Sequence, residues 1–153
     1  QAVATSGGHI YTDIKDAASA DVVIAIIGEK PYAEGVGDNG VLTLKSETAL
    51  AGNTKTLELA KSTGLPIVTV MIAGRPMLVT EEISDWNAFV MGWLPGSEGG
   101  LGVSDVLFGD YDFTGKLPVT WPMDAKQFGI NSNNCTSDFK PLYQVGFGLN
   151  YQK

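Results

Sequence analysis

Between Gly28 and Asn39 the chain reads Gly28-Glu29-Lys30-Pro31-Tyr32-Ala33-Glu34-Gly35-Val36-Gly37-Asp38-Asn39. Two glutamates and an aspartate therefore share one polar stretch with an aromatic ring. Carboxyl groups presented this way suit proton transfer. Hydrolysis of a glycosidic bond asks for such a group, first as proton donor to the leaving oxygen and then as base toward water. The three carboxylates are not equivalent. Glu29 follows the glycine that ends an apolar run, where the backbone is still held and the side chain is placed to brace the loop. Glu34 lies further out, between Ala33 and Gly35, small residues that leave space for a substrate. Glu29 and Asp38 are expected to accept backbone N–H bonds that fix the loop's shape, with Tyr32 beside them; Glu34 is the candidate acid/base.

Other constellations carry less. Gly35-Val36-Gly37-Asp38-Asn39-Gly40 spells a dinucleotide fingerprint, but its first glycine comes well after the strand instead of in the turn that follows it. Val41-Leu42-Thr43-Leu44 behind it reads as extended rather than helical, so a nucleotide-binding domain is disfavoured. Pro95 to Gly102 reads as a glycine-rich strand-to-helix junction, without the Lys-Ser/Thr ending of a P-loop. His9 and Cys135 are the only residues of their kinds, which argues against a zinc site or a Ser-His-Asp triad and rules out an intrachain disulfide. No metal and no cofactor is expected. Glu81-Glu82 are adjacent and cannot face each other across a substrate, so they read as a solvated helix start. Trp86, Trp93 and Trp121 are candidates for stacking on sugar rings, and each reads more readily as core. Asn134-Cys135-Thr136 matches a glycosylation acceptor.

The loop has to be held by something rigid. Val22-Val23-Ile24-Ala25-Ile26-Ile27 is a continuous β-branched run ending at Gly28, the pattern of a strand buried on both faces. Pro66 opens a second such run, Ile67 to Ile72, and residues 88–94 give a third. A helix is expected near 47–63, stopped by Gly64, and another over 98–108. Residues 13–20 are helix-compatible, with Asp13 as cap. The tail from Gly115 reads as irregular packing with a short strand or two. Strands alternating with helices indicate a mostly parallel α/β sheet with right-handed crossovers. Ligands of such sheets sit beyond the carboxyl ends of the strands. The loops leaving Gly28, Gly74 and Pro95 should therefore meet on one edge.

The chain's 153 residues fit one domain with a proper hydrophobic core. A formal charge of −7, with the basic residues scattered, makes nucleic acid and anionic membrane surfaces poor partners. Neutral ligands such as sugars stay open. The longest apolar run is far short of the ~20 residues that span a bilayer, and the chain, which begins with Gln1, is expected to be a processed or excised segment in which no signal peptide is read.

Taken together, the motifs are similar to those of family-3 glycoside hydrolases. Gly28-Glu29-Lys30-Pro31-Tyr32-Ala33-Glu34 with Gly37-Asp38 resembles the acid/base loop of that family's β-glucosidases and exo-β-glucanases. The resemblance continues through Gly74-Arg75-Pro76, the stretch Trp93 to Gly100, Asp105 to Asp110, Phe113 to Pro118, Pro141-Leu142-Tyr143 and Gly146 to Leu149. It implies that residues 1–153 form a single, partial C-terminal α/β domain: a three-layer sandwich with a mostly parallel sheet, lacking the first strand and helix of the family's domain. It also implies a partner absent here, a (β/α)₈ barrel carrying an aspartate nucleophile, with the active site between the two and Glu34 as acid/base in a retaining reaction on β-glucosides or β-glucans. On this reading the chain is inactive alone, its uncovered apolar strip favours self-association, and the parent is secreted or periplasmic. The competing reading is a non-catalytic carbohydrate-binding or interaction module on the same fold.

Overall fold

The computed structural model describes residues 7–129 and 139–151; Asn134 and Cys135 lie outside them. Three strands form one sheet in the order β1-β2-β3: β1 (Val23–Gly28), β2 (Ile67–Ile72) and β3 (Ala88–Met91). All pairings are parallel, with Val23 opposite Ile67, Gly28 opposite Ile72, and Val68 opposite Ala88. Helix α1 (Asn53–Ser62) connects β1 to β2, and α2 (Gly99–Leu107) follows β3. The three expected strands are thus neighbours in one sheet. A short 3₁₀ turn, Ile14–Ser19, precedes β1, with the Asp13 side chain accepting from Lys15 N. No helix among the described residues is long and apolar enough to cross a membrane.

Side chains alternate between the faces of a strand. On one face Ala25, Ile67 and Ala60 of α1 pack together, joined by Leu57. The same face continues into the main core, where Ile27, Met71, Met77, Val79, Leu44 and Trp121 are buried. Burying each large apolar side chain contributes about 1.5–3 kcal/mol. Trp121 keeps its indole N–H satisfied by donating to the Met77 carbonyl at 2.9 Å, and its ring meets Phe89 edge-on at 5.3 Å. On the opposite face α2 closes over β3. A Cβ at Gly92 would overlap Ile72 Cδ1 at 2.7 Å, so the glycine makes room for the β2 side chain, while Val103 of α2 lies at an ordinary contact distance of 4.0 Å. Helices thus flank the sheet on both sides, as an α/β sandwich requires.

Four expectations change. First, β1 is not buried on both faces: Ile24 is 40% and Ile26 64% exposed. Helix α2 sits over β3 at the far edge, and no described element covers this end of the sheet. Second, α1 begins at Asn53, not near 47, because Ala49 bridges to Glu29 between two turns and Asn53 is engaged with β1. Third, the tail holds no named strand among its described residues. A single antiparallel bridge, Trp121 to Tyr143, and the Leu117–Phe147 hydrogen bond of 2.7 Å tie it down. Fourth, β3 ends at Met91, where the expected strand ran to 94; Gly92 N still donates to Met71 O, but Trp93 turns the chain at φ 53°.

Candidate active site

The candidate loop leaves β1 at its carboxyl end, and the backbone stays pinned for two residues beyond the strand. Glu29 N donates to Ile72 O at 3.0 Å, and Lys30 N to Thr48 O at 2.7 Å. Gly28 itself is clasped by the Asn53 side chain, which accepts from its N–H at 3.0 Å and donates to its carbonyl at 2.8 Å. Gly28 admits nothing larger than hydrogen, since a Cβ there would overlap the Ile72 carbonyl oxygen.

Glu29 is the buried carboxylate of the site, its side chain 1% exposed. Its Oε1 accepts from Thr48 Oγ1 at 2.7 Å and from Arg75 Nε and Nη2 at 3.3 and 3.2 Å. It braces the loop, through side-chain donors where backbone N–H groups were expected. The cation matters, because a buried charge needs a paired and hydrogen-bonded partner.

Arg75 was not singled out as a site residue from the sequence, where it figured only as part of Gly74-Arg75-Pro76. It comes from the end of β2 and touches the loop in three ways. Its fork holds Glu29, its Nη1 donates to Gly37 O at 2.5 Å, and its guanidinium lies 4.1 Å from the centre of the Tyr32 ring. Tyr32 fills the space between two glycines. A Cβ at Gly74 would come within 2.6 Å of the Tyr32 hydroxyl, and one at Gly37 within 2.8 Å of the ring. The same position at Gly74 lies 3.6 Å from Leu94, so the loops after β1, β2 and β3 meet on one edge, as the topology required.

Glu34 sits at the tip. The turn that carries it is closed by Gly37 N to Ala33 O at 2.9 Å and Asp38 N to Gly35 O at 3.0 Å, with Gly35 at φ 82°. Glu34 is exposed, and its side chain makes no hydrogen bond or ion pair among the described residues. Asp38 is exposed too, and accepts no backbone bond; Asn39 does so in its place, taking Val41 N at 3.1 Å. The loop's shape therefore owes nothing to the Asp38 side chain.

The remaining candidates fall away from this edge. Trp121 is core, Trp86 packs partly buried against it, and Trp93 lines an aromatic cleft of about 460 Å³ along β3. Glu81 and Glu82 do lie at a helix start, the head of the 3₁₀ turn Ile83–Asp85, with Glu81 exposed as expected and Glu82 half-buried. Among the described residues no group of three or more His, Cys, Asp or Glu side chains is placed to hold a metal ion. The glycine-rich stretch 35–40 forms turns and opens no helix, so it offers no phosphate cradle.

Comparison with known proteins bears on this arrangement. Residues 4–151 match the model of the glycosyl hydrolase family 3 C-terminal domain. A periplasmic beta-glucosidase of Salmonella typhimurium is 32% identical over 90% of this chain and 20% of its own length. A lysosomal beta glucosidase of Dictyostelium discoideum is 33% identical over 97% of this chain and 18% of its own. The chain thus spans about a fifth of the length of these curated relatives. Among solved structures, an exo-1,3/1,4-beta-glucanase from a Pseudoalteromonas species superposes with a TM-score of 0.78 at 41% identity, over 99% of this chain and 19% of that one. With the family model matched almost from end to end and its sheet reproduced, the chain belongs to the glycosyl hydrolase family 3 C-terminal domain family.

Proposed function

We propose that this chain is the acid/base-supplying part of a retaining β-glucosidase or exo-β-glucanase, and that Glu34 is the catalytic carboxyl. The observation that carries the reading is the contrast within one loop: its root is fixed by buried bonds, while its tip presents a carboxyl with no partner of its own among the described residues. A group that must give up and regain a proton has to be accessible to substrate. The names of the more similar relatives support β-glucosides as the substrate class, and the periplasmic and lysosomal ones support a compartment outside the cytosol.

In the reaction, the Glu34 carboxylic acid protonates the glycosidic oxygen as the bond from the anomeric carbon to that oxygen breaks. An aspartate from a (β/α)₈ barrel outside this sequence captures the anomeric carbon as a glycosyl ester. The Glu34 carboxylate then takes a proton from the water that cleaves the ester. The two carboxyl groups of a retaining enzyme lie roughly 5–5.5 Å apart, so residues 1–153 alone are expected to be inactive. Assay of the isolated chain on an aryl β-glucoside checks this, and turnover abolished by Glu34→Ala would overturn it.

In the intact enzyme, Glu34→Ala should slow hydrolysis of substrates with poor leaving groups by about 10²–10⁴-fold. Activated aryl glucosides need little protonation, so their first step should survive while deglycosylation stalls. Azide needs no base and should restore turnover, giving β-glucosyl azide. Rescue in Glu29→Ala and not in Glu34→Ala would transfer the role to Glu29.

A further inference from the structure

Glu34 has no side-chain anchor among the described residues, so something else must fix where its carboxyl points. The turn Ala33–Gly37 closes through the Gly37 N–H on the Ala33 carbonyl, and the Gly37 carbonyl on its other side is held by Arg75 Nη1. Arg75 in turn is oriented by the buried Glu29 carboxylate through Nε and Nη2, and by the Tyr32 ring against its face. Each surface of the guanidinium is thereby used: one edge on Glu29, the outer nitrogen on Gly37, the plane on Tyr32. Gly74 and Gly37 approach Tyr32 so closely that a Cβ at either would overlap it, so the ring packs against both glycines with its remaining surface exposed.

We propose that Arg75 is the positioning residue for the acid/base carboxyl. It ties the turn that carries Glu34 to the rigid ends of β1 and β2, and so sets the distance and direction from Glu34 to the glycosidic oxygen. The proposal rests on Glu34 as acid/base and adds to it. Arg75 does not act on the substrate; it acts through the Gly37 carbonyl and the Tyr32 ring. The chemistry demands an arginine. A lysine ammonium is a single point donor on a flexible stem, so it can satisfy Glu29 or Gly37 but cannot hold both while lying flat on Tyr32. Keeping the charge while losing the fork should leave Glu29 paired and the turn loose.

The consequence is specific. Misplacing a catalytic group by about 1 Å costs on the order of 100-fold, and here the loss should fall only on steps that need the proton. In the intact glycosidase, Arg75→Lys is therefore measured on a series of aryl β-glucosides of rising leaving-group basicity. Rates are normalised to active sites titrated with a deoxyfluoro glucoside inactivator, which removes any loss of folded protein. For the poorest leaving groups kcat/KM should fall about 10- to 100-fold, and for a dinitrophenyl glucoside less than about 3-fold, because only the former depends on general acid catalysis. Arg75→Ala should show the same pattern, with the slow substrates partly rescued by added guanidinium ion.

A uniform loss across the series, or a wild-type profile in Arg75→Lys, overturns the proposal. Glu34→Ala in the same series separates the two ideas. If Glu34→Ala shows the leaving-group dependence and Arg75→Lys does not, Arg75 alone is misassigned. If Glu34→Ala shows none, both assignments fall.

Discussion

Glu29 and Glu34 share one loop and one side-chain chemistry, yet the fold treats them in opposite ways. At the root, the Glu29 side chain is 1% exposed and paired with Arg75 and Thr48. At the tip, Glu34 is exposed and rests on backbone turns. The difference teaches how a carboxylate's work can be told from its surroundings. A carboxylate drawn into a buried ion pair, as Glu29 is through Oε1 while its buried Oε2 has no hydrogen-bond partner among the described residues, stabilises structure, and one exposed at a loop tip is open to a substrate.

The contrast breaks most easily on stability. Glu29→Ala leaves the Arg75 guanidinium without its counter-charge in a part-buried place, and losing one partner of a buried pair costs about 3–5 kcal/mol. Glu34→Ala removes an exposed side chain with no bonds among the described residues, and should stay within about 0.5 kcal/mol of wild type. Urea unfolding of both variants measures the gap directly. Equal losses would mean that the tip is structural after all, and the functional reading of Glu34 would lose its physical basis.

A second test sharpens the comparison by moving one step below the root. The outer edge of β1 carries no strand among the described residues, and at its last residue, beside the Glu29–Ala49 bridge, the Asn53 side chain bonds both the N–H and the carbonyl of Gly28 much as another strand would. The carbonyl keeps a second donor, Leu50 N at 3.0 Å, but the N–H has no other partner among the described residues. Asn53→Ala should therefore cost about 1–3 kcal/mol, the usual penalty of one buried unsatisfied group. Asn53→Asp keeps the acceptor and should recover part of that loss; if it does not, the clasp on Gly28 is not what Asn53 supplies.

How far these features were legible in the sequence follows from the range of the interactions. Strands β1 and β2 announce themselves, because parallel strands are built from unbroken β-branched runs, and the loop between β1 and α1 stands out as polar and glycine-rich. The start of α1 was misplaced because Leu50 reads as part of an apolar helical face, whereas it is 42% exposed in the turns before the helix. The burial of Ile24 and Ile26 was overestimated for a related reason: residue type records what a strand is suited to, not which helix covers it. Glu29 was legible as a brace from its place beside Gly28. Its partner was not, because Arg75 reaches it from the end of the neighbouring strand and nothing local marks the pairing. The part assigned to Asp38 fell to Asn39, whose side chain takes the Val41 N–H in a local turn, and two adjacent residues of nearly the same shape give no sequence signal of which one does so.

The smallest effect uses a third carboxylate as a control. Glu82 is half-buried like a root residue, but unlike Glu29 it has no cation bonded to it among the described residues. Burial pushes its pKa above the ordinary 4.5, with the Glu81 and Asp85 charges adding to the rise, while the backbone N–H of Glu82 and the Lys45 charge oppose it. The sign follows from proton counting. When a carboxyl's folded pKa exceeds its unfolded one, the folded chain binds the proton more readily, so stability is greater below the ordinary value and falls as pH rises through the folded pKa. Glu82→Gln removes that dependence. Its urea midpoint should match wild type near pH 4, within about 0.5 kcal/mol, and then rise above wild type toward neutrality. If the two midpoints instead run parallel across the range, burial without a cation is not what distinguishes Glu82 from Glu29.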